Sequence, residues 1–329
     1  MKTVVNKETS TGPVHEYTLG RSLLRGIGQV MFQNNAVSGL FFLMGIVWGC
    51  YASGNYAVAL GAVVGVIIST VVGCMMSRTE EDCDQGLWGF NGVLVGCAFP
   101  TFLGDSWQMW VALVLCAALT VIVRRGFNKV LAPWSVNSFT FPFVFTTWIF
   151  LLAARMFSSL PPVGEALPEF PSGVVCHFSD SPLALTEYWL KGISQVFLID
   201  NGITGIFFLI GLVVSSRWAA LWAAVASALS LVVACVMHGS GDGIAEGMYG
   251  YSAVLTGIAL GCTFYRPSWI VAGYTLLAII TTVFVQAAMN TLFTPVGLAS
   301  LTAPFCITTW LFLLPLYRLN DIEANHSKW

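Results

Sequence analysis

Two glutamines and two threonines are the residues of this chain best placed to do chemistry, because each returns half a chain later in the same local setting. Gln29 stands in Gly26-Ile-Gly-Gln-Val-Met-Phe-Gln-Asn-Asn and Gln195 in Gly192-Ile-Ser-Gln-Val-Phe-Leu-Ile-Asp-Asn. Asn35 then pairs with Asn201, and Gly39 with Gly205. Thr140 is followed by Pro142 and Phe143, and Thr302 by Pro304 and Phe305; Pro133 and Pro295 precede them at equal spacing, and Thr-Thr-Trp follows both. An amide and a hydroxyl neither titrate nor attack near neutral pH; they accept and donate hydrogen bonds. The implied chemistry is recognition of something neutral and polar.

A third repeated element pairs Phe90 with Tyr251 and Leu94 with Leu255, within Gly86-Leu-Trp-Gly-Phe-Asn and Gly247-Met-Tyr-Gly-Tyr-Ser. An aromatic and a leucine four apart share one helix face; taken alone, this element reads as ordinary helix packing. Gly61-xxx-Gly65, Gly92-xxx-Gly96 and Gly257-xxx-Gly261 read the same way, as close helix contacts.

Titratable chemistry is missing where it would be needed. His15, His177, His238 and His326 fall in tails, linker or a loop, and nearly all acidic residues lie at chain ends or loop edges. Asp200 is the exception, and it has no symmetric carboxylate. No proton relay, metalloprotease helix, Walker loop or nucleophile elbow is present. No cysteines are spaced Cys-x-x-Cys, so neither a zinc site nor a disulfide framework is expected. An enzyme, a metal site and a cofactor are not indicated, and a net charge of -2 without a basic cluster argues against nucleic acid.

The elements that must position these residues are membrane helices. Apolar residues make up 57% of the 329 positions and charged ones 9%, where a soluble domain has about a quarter charged. The mean hydropathy is +0.79. Apolar runs fall at 36–51, 56–76, 87–103, 107–123 and 136–157, and again at 202–216, 218–237, 247–264, 267–289 and 298–317. About 20 apolar residues cross a bilayer, so the reading is two sets of five spans. A shorter amphipathic stretch precedes each set and reads as a half-membrane helix ending near Gln29 or Gln195. The expected fold is an all-α integral membrane protein of two repeats. The divisions are a tail at 1–16, repeats at 17–157 and 184–318, a linker at 158–183 and a tail at 319–329.

Five spans per repeat put the copies in opposite orientation. With both termini inside, only Arg155 and Lys191 among the 14 Lys and Arg fall outside. At a helix C-terminus the last carbonyls carry partial negative charge, so two opposed ends bearing Gln29 and Gln195 would form a corridor of acceptors. Pro142 and Pro304 are expected to leave the carbonyls of Ser138 and Ser300 unpaired. Asn34 and Asp200 are expected to cap the spans that follow them.

These three elements resemble the motifs of the bacterial and animal urea transporters, over about residues 17–318: Gly28-Gln-Val-Met-Phe-Gln-Asn-Asn, Leu87-Trp-Gly-Phe-Asn, and Thr140-Phe-Pro-Phe with Thr302-Ala-Pro-Phe. The resemblance implies homotrimers in lipid with one pore per protomer and passive urea flux, here across the inner (cytoplasmic) membrane. It implies Gln29 and Gln195 as ladder side chains, Thr140 and Thr302 as the middle pair, and Phe32, Phe90, Leu94, Leu198, Tyr251 and Leu255 as slot walls. Tyr251 adds a hydroxyl to one slot, and Leu198 replaces the aromatic of Phe32. Another neutral-solute pore, for water, ammonia or short amides, is the alternative; a sensor or scaffold with a vestigial pore is a further one.

Overall fold

The computed structural model describes residues 19–77, 80–169 and 173–315. The tails expected at 1–16 and 319–329 lie outside these residues, as do Lys2, Lys7, Arg78, Arg318 and Lys328 of the topology argument. In hydrocarbon every backbone polar group needs a partner within the protein, and a helix supplies it locally. No strand forms among the described residues; an isolated bridge joins Leu103 to Pro162.

The helices fall into two series of seven. The first is α1 (Leu19–Gln29), α2 (Ala36–Ser53), α3 (Tyr56–Met76), α4 (Glu80–Asp84), α5 (Phe90–Phe102), α6 (Trp107–Leu131) and α7 (Phe141–Ala154). The second is α8 (Pro182–Ser194), α9 (Gly202–Ser215), α10 (Arg217–Val236), α11 (Gly241–Ala245), α12 (Tyr251–Ile258), α13 (Trp269–Phe293) and α14 (Ala303–Leu313).

Their lengths modify the ten-span expectation. Five helices (α2, α3, α6, α10 and α13) are long and apolar enough to cross a membrane alone, and α8 bends by 71° into α9. The other four runs contain helices of 8 to 14 residues, only ~12–21 Å at 1.5 Å per residue. Turns consume the rest of each run. Phe139 and Leu301 take a φ of 50° just before α7 and α14, and Gly86 and Gly247 take 71° and 72° before α5 and α12. Apolar character continues through these turns, so hydropathy cannot separate turn from helix.

Equivalent contacts recur in the two series. A Cβ on Gly39 would overlap the Leu24 carbonyl, and one on Gly205 the Leu190 carbonyl, which seats α1 on α2 and α8 on α9. Gly45 of α2 lies under Phe208 while Gly211 of α9 lies under Phe42. The Phe42 and Phe208 rings meet edge-on at 5.3 Å, both fully buried. Gly61 and Gly65 pack on the backbone of Gly96 and Gly92, while Gly257 and Gly261 pack against Trp222. All three small-residue motifs thus serve close packing.

Two local expectations change. Asn35, not Asn34, caps α2, accepting from the Val37 and Ser38 amides at 2.8 and 3.3 Å. Asn201, not Asp200, caps α9 through the Thr204 amide at 3.0 Å. Each cap residue is extended, with φ of -141° and -156°, the conformation that aims a side-chain oxygen at the first free amides. Cys74, near the end of α3, is disulfide-bonded to Cys83 on α4, their Cα atoms 5.6 Å apart. Spacing rules for small scaffolds missed this bond because it depends on α4 lying against α3, which spacing does not report.

Candidate solute pore

Gln29 is the last residue of α1. Its amide nitrogen donates to the Gln85 carbonyl at 3.0 Å, and its Oε1 is buried without a partner. Gln195 closes α8 in the same manner, donating to the Glu246 carbonyl at 3.0 Å. Each side chain is therefore oriented by its nitrogen, leaving its oxygen to accept. Three residues on, Phe32 and Leu198 take φ of 61° and 60°, a left-handed conformation that costs about 1–2 kcal/mol for a side chain with a Cβ.

Thr140 and Thr302 meet. Their hydroxyl oxygens lie 2.7 Å apart, and Cys306 Sγ is 3.4 Å from that of Thr140. The tryptophans of the repeated Thr-Thr-Trp clasp the opposite half: Trp148 Nε1 donates to the Ala299 carbonyl at 2.9 Å and Trp310 Nε1 to that of Asn137 at 2.8 Å. The prolines do not act as expected. Pro142 and Pro304 stand in the first turns of α7 and α14, where a missing N–H is no loss. The Ser138 and Ser300 carbonyls accept from the Phe141 and Ala303 amides at 2.9 and 3.2 Å. They are paired, so the polar character of this centre comes from the threonine hydroxyls.

Gln29, Phe32, Phe90 and Thr140 line one cavity of about 40 Å³ together with Leu87, Arg124, Asn137, Ser138 and Phe264. One water needs about 10–15 Å³ of such space, so that is room for a few waters. A vestibule of about 610 Å³ shares Gln29, Phe32 and Leu87 and adds Gln33, Asn34, Glu81, Asp82 and Gln85. Phe32 touches Phe139, Phe264 and Phe305 edge-on at 5.9 to 6.4 Å, so the narrow part is walled by rings. Leu94, Gln195, Leu198, Tyr251, Leu255 and Thr302 line neither cavity. Leu94 and Leu255 are fully buried. The Tyr251 hydroxyl lies 3.1 Å from Ser300 Oγ, beside the threonine pair.

Sequence reasoning missed Phe139, Phe264, Phe305, Cys306 and Arg124. Arg124 carried a readable signal: it precedes Pro133 by nine residues, as the polar Gln286 precedes Pro295. Asp200 resolves into an ion pair with Lys191 at 2.9 Å, and is half-exposed rather than stranded. Glu246, beyond the spanning helices at the end of α11, has its carboxyl pushed above the usual range by partial burial, then by Asp200 and Asp242, against an opposing Lys191. Among the described residues no cluster of His, Cys, Asp or Glu is suited to a metal.

A bundle of apolar helices, five of them long enough to cross a membrane alone, defines a multi-pass membrane protein. The urea transporter family model matches residues 21–317, and the chain belongs to that family. It is 29% identical over 304 residues to urea transporter 1 of Ovis aries, covering 89% of this chain and 76% of that protein. It is 28% identical over 315 residues to urea transporter 1 of Rattus norvegicus, covering 93% and 81%. Membership makes the chain a transporter and not an enzyme.

Proposed function

We propose that the protein conducts urea passively through a pore in each protomer, running from the vestibule beside Gln29, past the threonine pair, to Gln195. The observation that carries this reading is the hydroxyl contact of Thr140 with Thr302 at 2.7 Å, which joins the two halves where their equivalent elements converge. Urea offers four N–H donors and one carbonyl. Gln29 Oε1, buried without a partner, accepts from the amides at one end and the Gln195 oxygen at the other. Each hydroxyl at the centre can both donate and accept. Phe32, Phe90 and Leu94 on one side, and Leu198, Tyr251 and Leu255 on the other, form flat slots that admit a planar molecule stripped of water.

In this reading the repeats are inverted, as the reciprocal packing of Gly45 under Phe208 and Gly211 under Phe42 supports. The protein is a homotrimer of the inner membrane with both termini cytoplasmic. Stopped-flow urea uptake into proteoliposomes tests the function, against protein-free vesicles and with thiourea as competitor. Fast flux that is blind to a pH gradient and reduced by thiourea is expected. Flux that reverses with pH at zero urea gradient would show coupling and end the passive reading. No flux above the lipid leak from folded protein would turn it to water, ammonia or short amides.

A further inference from the structure

A corridor made only of acceptors has a physical defect as a filter for neutral molecules. Free carbonyl-type oxygens stabilise cations, and rings of them are how cation pores bind their ions. Guanidinium sharpens the problem, being planar, of urea's size and richer in N–H donors. Glu81 and Asp82 of the vestibule make matters worse by collecting cations at the mouth. Something past the vestibule has to refuse positive charge.

Arg124 is placed to do so. It projects from α6 at a depth where its residue is only 8% exposed, yet it lines the narrow cavity with Gln29, Phe32, Phe90 and Thr140. Its guanidinium carbon lies 4.7 Å from the Trp88 ring centre and 5.5 Å from that of Phe90. Among the described residues no carboxylate is within ion-pair distance of it. The charge is thus held by ring faces; Asp82 acts on it from beyond ion-pair distance and offsets it only in part, so its field acts in the cavity. The Phe90 face it covers is also withdrawn from any incoming cation. A buried charge on a spanning helix is costly and implies a use. The second series needs none: Gln286, at the equivalent place, donates to the Met248 carbonyl, so the charge is present at one end of the lane only.

We propose that Arg124 is the charge filter of the pore, a specificity-determining residue that lets urea pass and refuses planar cations such as guanidinium. The proposal rests on the urea-pore reading. Carboxylates at the mouth turn back anions, the arginine behind them turns back cations, and a neutral dipole passes both.

The test is urea flux into proteoliposomes with sub-denaturing guanidinium chloride on both sides, against sodium chloride of equal ionic strength. Each variant is referred to its own uninhibited flux. Wild-type flux is expected to ignore guanidinium. Arg124→Gln, which installs the residue of the other half, should become competitively inhibited, with half-inhibition lowered at least about tenfold. Arg124→Lys should stay refractory. Wild-type protein inhibited by guanidinium as strongly as by thiourea would overturn the filter, and this arm needs no variant to fold. So would an Arg124→Gln protein that carries urea and remains refractory. Absent urea flux in wild type would overturn the pore reading instead, which keeps the two failures apart.

Discussion

Removing both threonine hydroxyls should cost less stability than the two single removals together. Thr140→Val deprives the hydroxyl of Thr302, a residue only 3% exposed, of its 2.7 Å partner. A buried polar group left unmatched costs about 1–3 kcal/mol. Thr302→Val is milder, because the Thr140 hydroxyl keeps Cys306 Sγ at 3.4 Å, a weak partner. Thr140→Val should therefore lie in the upper half of that range and Thr302→Val in the lower. The double variant strands no hydroxyl and should be more stable than the sum of the singles by about 1–2 kcal/mol. Flux should behave differently. Each hydroxyl offered to urea contributes about 1 kcal/mol, or about fivefold, so the double variant should conduct least while regaining stability. Thermal unfolding in detergent gives the first quantity and stopped-flow urea uptake the second. Strictly additive stability losses would show that the hydroxyls are not paired. Undiminished flux in all three variants would remove them from the path.

Two further outcomes follow from packing and charge. Gly39→Ala puts a Cβ on the Leu24 carbonyl and should cost at least about 3 kcal/mol or prevent folding. Gly126→Ala in α6 meets nothing within 4 Å and should stabilise by about 0.5–1 kcal/mol; equal unfolding midpoints for the two proteins would refute this packing. Because the Glu246 pKa is raised, the folded state binds its proton more tightly than the unfolded chain does. The stability so gained is present below the ordinary glutamate pKa and is lost as pH rises through the raised one. Glu246→Gln should remove that part of the slope in a pH series of unfolding midpoints, and an unchanged slope would assign it elsewhere.

What could be read from the sequence was whatever depends on residue type and spacing together. The glutamines were legible because each ends a short amphipathic stretch whose neighbours repeat, and that places them at helix ends without any coordinates. The threonines were legible as a pair because two copies of one motif in one chain imply a meeting point. Choices left to backbone torsions were hidden. Asn34 and Asn35 are the same residue type, and only the extended φ of -141° at Asn35 decides which one caps α2. Pro142 was read as interrupting a helix because the run before it is apolar. The left-handed Phe139, which forces the helix to begin there, leaves no trace in composition. Arg124 was hidden for a related reason: the apolar run stops at 123, whereas the helix continues to Leu131, so a lining residue looked like a loop cation.

The left-handed residues show what these hidden choices serve. Phe32 matches Leu198, Phe139 matches Leu301, and Ser135 matches Gly297, each pair with φ between 50° and 61°. Glycine would adopt that conformation without strain, and at 297 it does. At the other two pairs a bulky side chain is kept at about 1–2 kcal/mol apiece. In each case that side chain stands next to a residue of the repeated motifs: Phe32 and Leu198 three residues beyond the glutamines, Phe139 and Leu301 just before the threonines. Strain of this kind persists where the surrounding structure over-determines it. At Phe32 and Phe139 the turn needs a positive φ and the narrow cavity needs a wall at the same residue, and glycine can satisfy only the first; Leu198 and Leu301 line neither cavity and fill the packing around their turns instead.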